Sequence, residues 1–144
     1  MYEEYDIKEI RILVASSELE FETEEDMRAF LRYTLPRKRE GRYWYRKNGI
    51  RIASDENMLV LFWYRGKAVG CGILYKRVLK KLDVYNGYLQ FYPKTIFNIS
   101  GITEDEIHKY SDKPKRVRQG SPKIDIKAKD EILKLIYEKW KDYN

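Results

Sequence analysis

The chain has 144 residues, a length that predicts one domain with a hydrophobic core. Its 29 Lys and Arg against 23 Asp and Glu give a formal net charge of +6. Its apolar runs are too short to cross a bilayer and it opens on no recognisable secretory leader, so we expect a cytoplasmic protein without a membrane partner. The single cysteine, Cys71, excludes an internal disulfide and a cysteine-rich zinc site.

The first third of the chain predicts a strand followed by a helix. Glu9–Ala15 is short and rich in β-branched residues, as strands are. Thr23 precedes three acidic residues and then apolar residues at helical spacing, which predicts a helix N-capped by Thr23. Pro36 is expected to end this helix at about Leu35.

The next segment places three consecutive aromatic residues among arginines, just before Asn48-Gly49. Asn-Gly is a strong hairpin signal because both turn positions need a positive φ. Strand alternation then puts Tyr43 and Tyr45 on one face, together with Ile50 and Ile52, and this is the expected core face. The other face is predicted to expose Trp44 surrounded by three arginines, Arg42, Arg46 and Arg51. Ala53 is expected on the same face.

Two further strands are expected to turn at Arg65-Gly66. The first, Met58–Tyr64, is apolar on both faces and is therefore predicted to be central. The return strand carries Gly70 and Gly72, a strip without side chains that suits a tight bend or the close approach of something flat. A later strand is predicted around a second Asn-Gly dipeptide.

The last third predicts two helices separated by a basic loop. Thr103 and Glu106 match a capping box, and Ile102 with Ile107 a hydrophobic staple. A closing helix is expected near residues 127–141, with these residues buried: Ile132, Leu135, Ile136 and Trp140. The predicted fold is a β-rich α+β domain of about six strands curling toward a barrel, with three peripheral helices.

Signals for catalysis are weak. The only histidine, His108, lies in a capped helix with no partner four residues on, which favours a surface or structural role. Cys71 lies between two glycines of a strand and is expected to be a small buried apolar residue. The best enzymatic candidate is Asp125 with Lys127, which has the acid-x-Lys spacing of metal-dependent nucleases and would need a further acid such as Asp83 or Asp55. Helix-entry roles explain this pair more simply, so we predict no catalytic residue, metal or cofactor.

Signals for nucleic-acid binding are stronger. Bases stack on aromatic rings whatever their sequence, and neighbouring arginines contact phosphates and stack as planes. The alternative is that Trp44 covers a small satellite core while the arginines extend into water. The predicted nucleic-acid-binding residues form a basic aromatic hairpin and a second basic loop: Arg37, Lys38, Arg39, Arg42, Arg46, Arg51, Lys115, Arg116 and Arg118.

Two stretches carry a resemblance to a known group of folds. "MLVLFWYRGKAVGCGILYK" resembles the central hairpin of the PUA-like superfamily, which includes the PUA, ASCH, EVE and YTH domains. "YLQFYPKTIFNISGITEDEI" resembles EVE and YTH-like modules, in which a strand and its loop lead into a capped helix. The resemblance implies a single PUA-like β-barrel of about five to six strands, with about three flanking helices, spanning residues 1–144.

The resemblance also implies a function. Such domains bind RNA or DNA, and EVE and YTH-like members hold a flipped, modified base in an aromatic cage. Some serve as specificity modules of methylation-dependent restriction systems. Trp63 and Tyr64 point to opposite faces of one strand, so at most one is expected in the cage. The candidates for the base pocket are Trp44, Tyr45, Trp63 and Tyr64.

The sequence therefore predicts a nucleic-acid-binding domain without catalysis, recognising a modified or flipped-out base. Two alternatives stay open: a metal-dependent nuclease using Asp125 and Lys127, and a protein-interaction module whose exposed aromatics meet a partner chain. The partner is expected to be DNA or RNA. Both a complete chain and a module of a larger protein or complex fit the sequence.

Overall fold

The structure is a computed structural model that describes residues 1–15, 21–46, 57–110 and 123–144. This part of the chain contains three α-helices, a π-helix, seven strands and two 3₁₀ turns, Pro93–Thr95 and Ile126–Ala128. In chain order the helices and strands are β1 (Glu9–Val14), α1 (Glu24–Ala29), the π-helix (Phe30–Lys38), β2 (Arg42–Tyr45), β3 (Met58–Tyr64), β4 (Lys67–Leu82), β5 (Tyr85–Phe91), β6 (Phe97–Thr103), α2 (Glu104–His108), β7 (Lys123–Ile124) and α3 (Lys129–Tyr143).

The strands form one mixed sheet in the order β2-β5-β4-β3-β1-β7, with β6 also paired to β4. Only the β1–β3 pair is parallel among the described strand pairs. Cys71 of β4 pairs with both β3 and β6, whereas Leu74 pairs with both β3 and β5. The edge of β4 that faces away from β3 is therefore shared by β6 and β5 in succession.

The α+β class is confirmed, but the expectation of a closed barrel is wrong. The described strands form an open seven-stranded sheet and do not close on themselves. The strand count exceeds the expected five to six because the structure adds two strands that the sequence does not predict, β6 on β4 and β7 on β1. The two-residue strand β7, paired to β1, is too short to leave a pattern in the sequence.

The central hairpin forms as the sequence predicts. All seven residues of β3 are buried, and the strand lies between β1 and β4. The turn residues Arg65 and Gly66 have φ angles of 45° and 88°. A Cβ at Gly70 would lie 2.3 Å from Leu31 Cδ1 and 2.9 Å from the Phe97 carbonyl oxygen, so the space at this glycine is filled by the protein itself.

The first helical segment, α1 continued by the π-helix, begins as predicted but ends later. Thr23 caps α1 by accepting a hydrogen bond from the Asp26 amide at 3.1 Å. Pro36 lies inside the π-helix, which continues to Lys38, so the expected end at about Leu35 is wrong by three residues. In an α-helix the proline ring collides with the carbonyl four residues back, and the wider five-residue spacing accommodates it. This spacing is seen in the Arg39 amide, which donates to the Thr34 carbonyl at 2.8 Å.

Two hydrophobic clusters cover the two faces of the sheet. One contains Leu31 and Leu35 of the π-helix, and the other contains Ile132 and Ile136 of α3. The burial predicted for these two isoleucines is thus confirmed, although Leu135 and Trp140 are only half-buried. No helix among the described residues is long and apolar enough to span a membrane.

The local signals around α2 and Cys71 are confirmed. Thr103 and Glu106 form both hydrogen bonds of the capping box. Ile102 and Ile107 are both buried in the hydrophobic cluster that also contains Ile132 and Ile136 of α3. Cys71 is buried, which raises the pKa of its thiol to about 12, although a hydrogen bond between this thiol and the Tyr2 hydroxyl acts in the opposite direction. Cys71 therefore has the structural role expected of it.

Candidate nucleic-acid interface

Strand β2 presents its aromatic residues in alternation. Tyr43 and Tyr45 are 4% and 6% exposed and belong to the core, while Trp44 between them is half-buried on the other face. Arg42 and Arg46 flank Trp44 and are exposed. The predicted division of this strand into a core face and an arginine-flanked tryptophan face is confirmed. The predicted hairpin through Asn48-Gly49, with its partners at residues 50–54, lies outside the described residues.

The described partner of β2 is β5, which adds two tyrosines beside Trp44. The register pairs Trp44 with Tyr88, and their ring centroids are 4.8 Å apart. The Tyr85 ring centroid lies 5.8 Å from that of Trp44. We call these three side chains the aromatic face.

Arginines lie over this face at both ends. The Arg42 Cζ atom is 5.2 Å from the centroid of Tyr88, and the Arg46 Cζ atom is 5.7 Å from that of Tyr85. Such cation–π contacts hold the planar guanidinium group near the ring while leaving N–H donors for an anion. The Asn86 side-chain amide donates to the Arg46 carbonyl at 2.6 Å and so fixes the chain at this end of β2.

The neighbouring strand β4 extends the positive charge. Its Lys76 pairs with Gln90, which in turn pairs with Arg42, so the two cations lie on one rung of the ladder. Lys80 and Lys81 farther along β4 are also exposed. Aromatic rings bordered by cations attract a polyanion and offer its bases a surface for stacking.

The opposite side of β2 is anchored firmly. The Tyr43 ring packs edge-on against Phe30 at 5.9 Å and lies 6.2 Å from Phe62. The Tyr45 side chain crosses Gly87, where an added Cβ would lie 2.6 Å from the tyrosine hydroxyl. The aromatic face is therefore carried on a rigid strand, which limits the entropy lost when a ligand binds.

Some of the predicted binding cations lie elsewhere. Arg37 stacks over Tyr33 at 5.7 Å, and Arg39 lies 6.0 Å from the ring of Phe30. Since Phe30 packs on the core face of β2, the structure places Arg39 on the side of the sheet away from Trp44. Lys38 is exposed at the end of the π-helix. The remaining predicted cations lie outside the described residues: Arg51, Lys115, Arg116 and Arg118.

Trp63 and Tyr64 are core residues rather than part of an exposed surface. They are 1% and 0% exposed and belong to the two opposite clusters, as the alternation of β3 requires. The Tyr64 hydroxyl donates to the Phe21 carbonyl at 2.9 Å. Central strands are covered on both faces, which is why neither ring is accessible. A base-stacking role stays a prediction for Trp44 alone among the four pocket candidates, because Tyr45 is also in the core.

The sequence does not reveal the contributions of Tyr85, Tyr88 and Lys76 to this surface. Each is brought to Trp44 or Arg42 by the pairing of β2 with β5 and of β5 with β4. These pairs join residues far apart in the chain. The only local signal was the pair of tyrosines in β5, which does not reveal the neighbouring strand.

The residues of the nuclease alternative have a structural role. The Asp125 carboxylate accepts a hydrogen bond from the Lys127 amide at 3.0 Å and caps the 3₁₀ turn that leads into α3. Asp83 lies in the turn between β4 and β5, whereas Asp125 follows β7. Strands β3 and β1 lie between β4 and β7 in the sheet. No group of three or more His, Cys, Asp or Glu side chains that could hold a metal ion occurs in the described ranges, and Asp55 lies outside them.

Comparisons with known proteins show a likeness in fold. No family model matches the chain, and no curated protein matches it. Among solved structures, it is similar to the crystal structure of the YTH domain of Zygosaccharomyces rouxii MRB1 protein in complex with N6-methyladenosine RNA, with a TM-score of 0.57 and 12% sequence identity over 91% of this chain and 90% of that chain. At this identity the likeness concerns the fold, and the chain has a YTH-like fold.

Proposed function

We propose that this chain is a nucleic-acid-binding domain that recognises a modified or flipped-out base and has no catalytic activity of its own. The observation that carries the proposal is the outward-facing Trp44, flanked by Tyr85 and Tyr88 and bordered by arginines at both ends. The YTH-like fold supports it, because the similar YTH domain is bound to N6-methyladenosine RNA.

The physical basis is stacking combined with charge. A base stacked on an aromatic side chain contributes about 1–3 kcal/mol to binding. Arg42 and Arg46 already lie at cation–π distance from the rings of Tyr88 and Tyr85, so they can contact the phosphates on either side of a stacked base without a large rearrangement.

Preference for a modified base follows from the apolar character of the same surface. A methyl group adds apolar area, and burying one such group against aromatic rings is worth about 0.8 kcal/mol. Extruding a base from a stack costs a few kcal/mol, which the stacking on Trp44 would offset. We therefore expect the domain to prefer a methylated base over the unmodified one.

The proposal is tested by fluorescence anisotropy with labelled RNA and DNA strands that carry adenine, N6-methyladenine or 5-methylcytosine. The protein should bind at low salt, release the strands as salt rises, and prefer one methylated strand. Trp44→Ala should weaken binding, whereas Tyr137→Ala, an exposed aromatic on α3, should not. Absence of binding to every strand at low salt would refute the proposal and favour a protein-interaction module. Cleavage in Mg²⁺ that is lost in Asp125→Ala would favour the nuclease.

A narrower proposal rests on the family resemblance alone. In it, the chain is an EVE-like member of the PUA-like group and acts as the DNA-specificity module of a methylation-dependent restriction system. The same experiment separates this role from RNA recognition. Tighter binding to methylated DNA than to methylated RNA supports it, and the reverse order argues for RNA.

A further inference from the structure

The hairpin formed by β4 and β5 extends beyond the rest of the described sheet. The pairing of β4 with β3 ends at Leu74, and residues 75–82 continue with β5 as their described partner. The hairpin closes in a two-residue turn, Asp83 and Val84, in which Asp83 has a φ of 56°. The pairing of β2 with β5 reaches only Gly87, so the tip, residues 80–86, projects beyond the other described strands.

This hairpin exposes three large apolar side chains, two of them at its tip. Leu82 and Val84, at the tip, are each 53% exposed, and Leu79, which pairs with Gly87 on the Tyr45 side of the hairpin, is 73% exposed. Single exposed apolar residues are common on protein surfaces, but a group at one projecting turn indicates a contact surface. Folding leaves these side chains in contact with water, so their burial by a partner would contribute favourable hydrophobic free energy to binding.

The charge around the tip indicates which partner this is. Lys76, Lys80 and Lys81 are exposed along the same hairpin, against the one acidic residue of its turn, Asp83. A partner must therefore present negative charge outside and apolar surface within reach. Nucleic acid has this arrangement, with phosphates on the outside and stacked bases between them.

The tip is continuous with the aromatic face. Leu82 pairs with Tyr85 in the β4–β5 register, and Tyr85 lies 5.8 Å from Trp44 between ring centroids. A base that leaves a duplex to stack on Trp44 leaves a gap in the base stack nearby. Apolar side chains inserted between base steps fill such gaps in proteins that kink or open duplexes.

We propose that Leu82 and Val84 form a wedge that enters the base stack of a duplex beside the base that stacks on Trp44. Double-stranded nucleic acid is then the substrate class of this domain. The inference rests on the proposed function and adds to it, because a single strand needs no wedge: its bases are already free to leave the stack.

The test compares duplexes with single strands of the same sequence, in both DNA and RNA, carrying the preferred base next to 2-aminopurine. The fluorescence of 2-aminopurine rises when its neighbour leaves the stack. In Leu82→Ala/Val84→Ala, duplex affinity should fall about tenfold and the fluorescence rise should shrink, because the cost of unstacking is no longer offset. Affinity for the single strand should change by less than about twofold, since stacking on Trp44 is unaffected.

Two controls keep the outcomes separate. Ile126→Ala removes another exposed apolar side chain, near α3, and should leave both affinities unchanged. Thermal melting should show that the double variant is folded, since both substituted residues are exposed.

Equal losses on duplex and single strand, or no loss on either, would overturn the wedge while leaving Trp44-dependent single-strand binding, and with it the proposed function, intact. A tip variant that binds duplex normally but no longer sediments with phosphatidylserine vesicles would also overturn the wedge and assign the tip to a membrane surface. Failure of the unaltered protein to bind either strand form would overturn both proposals.

Discussion

Trp44 and Tyr88 lie directly opposite each other on β2 and β5, with their ring centroids 4.8 Å apart and their planes at 53°. Cross-strand aromatic pairs stabilise a sheet, so this pair has a structural role whether or not a ligand is bound. Trp44 is nevertheless only half-buried, whereas both of its chain neighbours are in the core. The aromatic face is thus available to a ligand on a strand that the core holds in place.

Substitution of adjacent aromatics should separate binding from stability. Trp44→Ala should weaken nucleic-acid binding by about 1–3 kcal/mol and lower the melting temperature only slightly. Tyr45→Ala should destabilise the fold by about 3–5 kcal/mol, because it removes a buried ring. Anisotropy and urea unfolding measure the two effects. The reverse pattern would mean that the faces of β2 are exchanged.

Removal of the Tyr45 hydroxyl should leave stability unchanged or raise it. This hydroxyl is buried without a hydrogen-bond partner among the described residues, and such a group costs about 1–3 kcal/mol. Tyr45→Phe removes the hydroxyl but keeps the ring. Tyr64→Phe is the matched control, because the Tyr64 hydroxyl does donate to the Phe21 carbonyl, and it should lose about 1 kcal/mol. A larger loss in Tyr45→Phe than in the control, measured by urea unfolding, would contradict the assignment.

Gly87→Ala should damage both the fold and the aromatic face. The added Cβ would lie 2.3 Å from the Val78 carbonyl oxygen and 2.6 Å from the Tyr45 hydroxyl, so β5 has to move. Overpacking of this kind costs about 1–3 kcal/mol and should displace Tyr88 with the strand. Gly70→Ala meets Leu31 Cδ1 at 2.3 Å and should destabilise the protein without changing the affinity of the folded fraction. Equal affinities in the two variants would argue against a rigid link between β5 and the site.

The ion pairs of Glu24 should make stability depend on acid pH. Lys67 Nζ lies 2.8 Å from one oxygen of this carboxylate and Arg28 Nε lies 2.9 Å from the other. The hydrogen bond from Lys67 and that from Arg28 hold the pKa of Glu24 below its usual value, although partial burial acts in the opposite direction.

Because the pKa is lower in the folded state, the stabilising contribution is present above the ordinary carboxylate pKa and is lost as pH falls through the folded-state value. Glu24→Gln should therefore flatten the acid limb of the plot of unfolding free energy against pH. The effect is small, since the carboxylate is partly exposed and solvent screens the pair. An identical acid limb in the variant and the unaltered protein would show that the pairs do not contribute.

The features that the sequence predicts correctly are those whose causes lie within a few residues. The Thr23 cap, the Thr103–Glu106 capping box and the Arg65-Gly66 turn each depend on side chains three or fewer positions apart. The alternation of Tyr43, Trp44 and Tyr45 is likewise a property of one strand.

The features that the sequence does not reveal depend on distant partners. Pairing of β2 with β5 brings Tyr88 to Trp44, and no local pattern encodes that choice. The described sheet is open because its end strands, β2 and β7, do not pair with each other, which is again a long-range arrangement. Pro36 inside a helix depends on a rare π-helical geometry that propensity rules do not anticipate.

The most direct test of base stacking uses the three tryptophans as internal reporters in an NMR titration. Indole N–H signals of Trp44, Trp63 and Trp140 are assigned by substitution and followed as the preferred methylated strand is added. We predict that the Trp44 signal shifts on saturation, that the signal of the buried Trp63 stays in place, and that Trp140 in α3 changes little. A saturated complex in which the Trp44 signal has not moved would contradict the claim that a base stacks on this indole.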